Sequence, residues 1–224
     1  RPLVEMLQAL AGIIAGKAVI PVERMRELDI ALKLLGRQGL AGMAMSGLDM
    51  ALWDVLARAR GMALCELLGG TAKPLPAYDS FGLVDPKRDR KALEKSVIAG
   101  FRAIKIKVGG GSLADDVGMV GGVREILGPE VRLMIDYNQS LNPVEAVRRA
   151  ERLFEFDIDW IEEPVAADDL TGHARVREKS PIPVQTGENW WFPAGMATAL
   201  ALDACDLAMP DVSRIGGVSG WLEA

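Results

Sequence analysis

Cysteine is scarce in this 224-residue chain: Cys65 and Cys205 are the only two. That is too few for the disulfide scaffold of a small secreted domain, so a reducing cytoplasm is the expected setting. No apolar run reaches the roughly 18 residues of a membrane span, and no stretch resembles a signal peptide. A basic excess is missing too. The net charge of −5 and pI near 5.1 argue against nucleic acid or an anionic membrane surface as partner, because both reward clustered Lys and Arg. Small molecules remain. Phosphate-binding signatures are also lacking: Gly109-Gly110-Gly111 follows an apolar strand, but no Gly-Lys-Ser/Thr comes after it, which leaves a flexible loop as the reading. What is present is half apolar and one quarter charged, enough for a globular protein with one large domain and something smaller.

The organisation changes once, near Pro74. Residues 1–73 carry apolar positions at helical spacing in LVEMLQALAGII, VERMRELDIALKLLG and GMAMSGLDMALWDVLARA, with no strand pattern between them. Residues 74–224 alternate short apolar strands, near 75–80, 103–108, 131–137, 158–163, 183–188 and 206–210, with amphipathic helices such as 143–155. Such a series predicts a parallel sheet joined by crossover helices. Even spacing, the absence of G-x-G-x-x-G and polar residues at strand C-terminal ends favour a (β/α)8 TIM-type barrel over a doubly wound sheet. Six βα units are present, so the chain is expected to be part of a longer protein.

Acids recur at those strand ends. LMIDYN places Asp136, WIEEP places Glu162 and VQTGEN places Glu188, and both steps are 26 residues. Neighbouring strands lie about 4.8 Å apart, so the three carboxylates are expected to converge; either some stay protonated or a cation sits among them. An all-oxygen site suits Mg²⁺, with Mn²⁺ as the alternative ion. The competing view, acids merely solvated or capping helices, is weak for three at equal steps. Glu163 alternates away from Glu162 and is assigned a supporting place.

The strand before them, AIKIKV, holds Lys105 and Lys107 on one face. Two adjacent ammonium groups are expected to depress each other's pKa, so that one is available as a base and the other binds a substrate carboxylate. An edge strand with solvated lysines is the plainer alternative, and the neighbouring acids count against it.

Taken together, Lys-x-Lys, Asp136, Glu162 and Glu188 resemble the enolase superfamily, and DYNQSL, WIEEP, PVQTGENW and LAMPDVSRIGGVSGW resemble its mandelate racemase subgroup. The likeness extends through AYDS and GLDMALWDVL, so that 1–73 is similar to a helical capping domain and 74–224 to an incomplete barrel domain. It implies Asp136, Glu162 and Glu188 as Mg²⁺ ligands and Lys107 as the base that takes the proton α to a carboxylate. Lys105 would neutralise substrate charge, with Asn138 and Ser80 beside it. Asp211 would belong to an Asp–His dyad whose histidine follows a seventh strand; the one histidine present, His173, is read as structural.

The implied reaction is racemisation of a 2-hydroxyacid through an enediolate, with acid-sugar dehydration on the same site as the alternative and a non-catalytic binding relative as a further one. Phe81 and Arg214 depart from mandelate racemase itself, which has histidine and lysine there, so the substrate stays open. A homo-oligomer is expected.

Overall fold

The computed structural model describes all 224 residues. They divide into two compact units: Arg1–Pro74 with Glu188–Thr198 and Pro210–Ala224, and Leu75–Gly187 with Ala199–Met209.

The first unit is helical. α1 (Pro2–Ile14), α2 (Pro21–Leu32), α3 (Leu40–Ala59) and the single turn α4 (Leu64–Leu67) hold its N-terminal part, and α10 (Gly217–Glu223) packs on α3. Prolines open α1 and α2, where the missing N–H has no intrahelical partner to lose. Leu10, Ile14, Leu28, Leu32, Ala44, Met45 and Phe192 form its core. One expectation needs correcting here, because α3 is long and apolar enough by length and composition to cross a membrane. It lies instead against α1, α2 and α10, and its buried Asp49 accepts hydrogen bonds from Ser219 N (2.9 Å) and Oγ (2.6 Å). A third of its most apolar window is buried in that packing.

The second unit is a six-stranded parallel sheet in the order β1 to β6, interleaved with helices. Its strands are β1 (Asp79–Leu83), β2 (Ala103–Lys107), β3 (Arg132–Asp136), β4 (Ile158–Glu162), β5 (Val184–Thr186) and β6 (Leu207–Ala208). The connecting helices are α5 (Arg90–Ile98), α6 (Leu113–Leu127), α7 (Pro143–Leu153) and α8 (Leu170–Lys179); α9 (Phe192–Ala201) belongs to the first unit through Thr198 and to the second from Ala199. Strictly sequential order is the barrel pattern; a doubly wound sheet reverses direction part-way. Period-2 alternation sends Ile104, Ile106, Leu133, Ile135 and Ile161 to the helix side, where they meet Leu93, Val120, Val123 and Leu153. Lys105, Lys107, Met134, Asp136, Trp160 and Glu162 are left for the opposite face.

Side-chain caps start the helices that follow the strand ends. Ser112 accepts from Asp115 N before α6, Asn142 from Val144 N and Glu145 N before α7, and Asp169 from Gly172 N before α8. Differences from the expected elements are local. β1 begins at Asp79 rather than near residue 75, because Pro74 and Pro76 supply no N–H to a ladder. β5 and β6 are shorter than their apolar runs, bounded by Pro183 and Pro210. α7 ends at Leu153 and tightens into a 3₁₀ turn over Phe154–Phe156, closed by Asp157 at φ 53°.

Candidate active site at the strand ends

Register brings five of the expected residues together in the second unit. Lys107 pairs with Asp136 across β2 and β3, Asp136 with Glu162 across β3 and β4, and Ser80 with Lys105 across β1 and β2. Partners in register share a face, so two ammonium and two carboxylate groups crowd one patch at the C-terminal edge of the sheet.

Each charge there is held differently. Glu162 is fully buried, and Lys105 Nζ lies 2.6 Å from both of its carboxylate oxygens. Lys105 is itself 9% exposed, and its ammonium sits 5.5 Å from the centre of the Tyr78 ring. Lys107 is freer: its side chain is 45% exposed and its Nζ approaches Asp136 Oδ2 only to 3.8 Å. Asp136 Oδ1 accepts the backbone N–H of Asn138 at 2.7 Å, a local turn that fixes the carboxylate relative to its own strand end.

Electrostatics correct one expectation. Burial pulls the Lys105 pKa down, but the hydrogen bond and charge of Glu162, helped by Asp136, outweigh it and raise the ammonium above its ordinary value. The carboxylates lie nearer than the second lysine, so attraction wins over mutual repulsion. Contact with Glu162 thus favours the charged, donating form of Lys105. Of the two lysines, Lys107 is the more exposed and the less tightly paired.

The turns beyond these residues are strained in a concerted way. Asn138, Gln139 and Glu163 have φ of 44°, 69° and 37°, a region uncommon for residues with a side chain. Their hydrogen bonds hold them there: Gln139 N donates to Glu163 O at 2.8 Å, and Ala167 N to Gln139 Oε1 at 2.9 Å. Such strain collects at functional sites where neighbours over-determine it. Asn138 and Ser80 have exposed side chains beside the charged patch.

Glu188 follows β5 by two residues, after Gly187 at φ 140°. A Cβ at Gly187 would lie 2.9 Å from the Met209 backbone, so glycine is required for that approach. Asn189 Nδ2 donates to Glu188 Oε1 at 3.4 Å, and Arg214 Nη1 to the Glu188 carbonyl at 2.7 Å. Asp211 Oδ1 accepts both Ser213 N, at 2.6 Å, and Ser213 Oγ. His173 is buried on α8 with Nδ1 3.1 Å from the Asp169 carbonyl.

No three His, Cys, Asp or Glu side chains stand as a ready cation cage, and both oxygens of Glu162 lie against Lys105. The donor chemistry nevertheless fits a hard divalent ion: Asp136 and Glu162 offer carboxylate oxygens from register-paired positions. Tyr78 was not among the expected site residues. Its neighbour Ser80 was, and the AYDS string alone does not show which side chain reaches Lys105.

Comparison with known proteins agrees with this architecture. The profile of the mandelate racemase / muconate lactonizing enzyme N-terminal domain matches residues 3–69, and that of the enolase C-terminal domain-like family matches 88–224. A D-galactarolactone cycloisomerase of Agrobacterium fabrum is 38% identical over 98% of the chain and 60% of its own length. An L-talarate/galactarate dehydratase of Salmonella typhimurium is 36% identical over 84% of the chain and 48% of its own. A crystal structure of an enolase from Bradyrhizobium, complexed with magnesium and mandelic acid, superposes with a TM-score of 0.97 at 53% identity, covering 99% of this chain and 62% of that one. The chain therefore spans about half to three fifths of the length of these relatives, and it belongs to the mandelate racemase / muconate lactonizing enzyme family of the enolase superfamily.

Proposed function

We propose that the protein removes the proton α to the carboxylate of a small-molecule acid, with Lys107 as the base and one Mg²⁺ held by Asp136, Glu162 and Glu188. Mn²⁺ would serve in its place. The observation that carries the reading is the register set Lys107, Asp136 and Glu162 on one face, with Lys105 fixed against Glu162 and Lys107 left half-exposed. When bound, the ion supplies Lewis-acid polarisation of the carboxylate and stabilises the negative charge of the enediolate.

The chain's own residues then divide the work. Lys105, kept protonated, donates toward the substrate carboxylate and compensates its charge. Lys107 reaches the α-carbon from the strand end and accepts the proton. Asn138 and Ser80, exposed at the same edge, offer polar contacts to the substrate. Asp211 is assigned to a dyad with a histidine outside residues 1–224; its Oδ1 is already oriented by Ser213.

Returning the proton to the opposite face makes the reaction a 2-hydroxyacid racemisation, which the mandelic acid complex of the Bradyrhizobium relative supports. A second reading, loss of a β-hydroxyl from a sugar acid, is supported by the likeness to the dehydratase. The free cysteines Cys65 and Cys205 suit a cytoplasmic enzyme, and the exposed Ile30, Leu34 and Leu35 suit a homo-oligomer.

The test uses the full-length protein in D₂O with Mg²⁺, offered mandelate and a panel of sugar acids. Lys107→Ala should stop α-proton exchange from one enantiomer of the accepted substrate, while exchange from the other persists; undiminished exchange from both would remove Lys107 as base. Optical rotation and keto-acid formation, read separately, decide between racemisation and dehydration. Absence of any Mg²⁺-dependent stabilisation would favour a non-catalytic relative.

A further inference from the structure

A second buried charged cluster lies behind the strand ends and takes no part in the chemistry above. Asp116, on the first turns of α6, is 1% exposed, and each of its oxygens is engaged. Oδ1 accepts Gly109 N at 3.0 Å; Oδ2 accepts Tyr137 Oη at 3.1 Å and Arg149 Nη1 at 2.6 Å. Arg149, on α7, also donates through Nη2 to Gly111 O at 3.1 Å and through Nε to Glu145 Oε1 at 2.8 Å. Tyr137 is 1% exposed and Arg149 7%.

Asp116 and Arg149 thereby grip chain next to two proposed functional residues. Gly109 to Gly111 is the loop that leaves Lys107, and Tyr137 immediately follows Asp136. Val108 N donates to Asp136 O at 2.9 Å, joining the two segments directly. They are also packed without slack: a Cβ on Gly109, at φ 82°, would stand 2.4 Å from Ser140 Oγ and 2.7 Å from Tyr137 Cδ1. Lys107 makes no short hydrogen bond of its own, so the direction of its side chain depends on the frame from which it springs.

We propose that Asp116 is a positioning residue: by bonding Gly109 N, Tyr137 Oη and Arg149 together, it sets the separation and aim of Lys107 and Asp136. This rests on the reading of Asp136 as a metal ligand and Lys107 as base. A buried acid in a merely structural position would stabilise the unit without tuning the site. One that holds the frame of a ligand alters what the ligand binds, and supporting partners of metal ligands typically affect affinity by about 10- to 100-fold.

The test is Mn²⁺ binding to the full-length protein, with free ion read by electron paramagnetic resonance. Asp116→Asn keeps the volume and loses the charge; Tyr137→Phe removes one hydroxyl and serves if the first variant does not fold. Val120→Ala, a fully buried apolar position on the same helix, controls for loss of stability alone. The expected result is a Kd for Mn²⁺ raised about 10-fold or more by Asp116→Asn and about 3-fold or more by Tyr137→Phe, with Val120→Ala within twofold of the parent. Parental affinity in the folded Asp116 variant, or in the Tyr137 variant where that one must stand in, overturns the positioning assignment; so does equal weakening by Val120→Ala. A parent protein that binds no Mn²⁺ overturns the metal-site reading itself, and the positioning assignment falls with it.

Discussion

Replacing Lys105 with methionine tests the central pair of the site by stability, without reference to substrate. Methionine keeps most of the aliphatic stem, so little packing is lost. What disappears is the ammonium 2.6 Å from both oxygens of a carboxylate with no solvent exposure. Removing one partner of a buried ion pair costs about 3–5 kcal/mol, because the remaining charge keeps its desolvation penalty and loses its compensation. Lys105→Met is therefore expected to lower the unfolding free energy by about that amount in EDTA, followed by urea denaturation and far-UV circular dichroism. Glu162→Gln strands the Lys105 ammonium instead, but should cost less, since Lys105 is 9% exposed where Glu162 is fully buried, and the amide oxygen can still accept from it. The double variant should recover about 2 kcal/mol or more relative to the sum of the singles, the sign of direct coupling. A loss below about 1 kcal/mol for Lys105→Met, with additive singles, would refute the reading of Lys105 and Glu162 as a mutually compensating buried ion pair.

Other outcomes follow from groups outside the site. Burial holds the Asp49 carboxyl above its ordinary value of 3.8, against the opposing hydrogen bonds of Ser219. Its folded form thus retains the proton longer than the unfolded one, a stabilising contribution that is full below pH 3.8 and lost as pH rises through the raised value. Asp49→Asn should remove that downward slope, measured as unfolding free energy against pH. His173 behaves oppositely: burial lowers its pKa below 6.5, so stability is lost as pH falls from 6.5 through the lowered value. His173→Gln should flatten the acid limb of the melting profile. Arg124 donates to the carbonyls of Phe156, Gly128, Val131 and Asp157 at 2.6–2.9 Å. Arg124→Met should cost about 2–4 kcal/mol in denaturant unfolding by leaving several of these acceptors without a donor.

Much of the architecture was legible because its signals are local. Alternation of apolar residues marks β2 to β4, where both faces are constrained, and helical spacing marks α1 to α3. At β1 the apolar run misled, since ladder formation depends on N–H groups that Pro74 and Pro76 lack. β5 and β6 came out short for a related reason, with prolines next to both. α3 shows the limit of composition: its apolar length suits a membrane as well as a helical core, and the packing of α1, α2 and α10 and the Asp49–Ser219 bonds appear only in three dimensions.

That Lys105, Lys107, Asp136 and Glu162 share one sheet face was legible in the sequence alone, because strand alternation and parallel pairing put them there. Tertiary structure decided the partnerships. Glu162 lies 57 residues from Lys105 and Arg149 lies 33 from Asp116, and the lengths of the intervening helices, not any string of residues, bring each pair within hydrogen-bonding reach. That is why the two lysines of AIKIKV, alike in sequence, end in different states. One is locked against a buried carboxylate at 2.6 Å, and the other, 45% exposed, approaches its nearest carboxylate only to 3.8 Å.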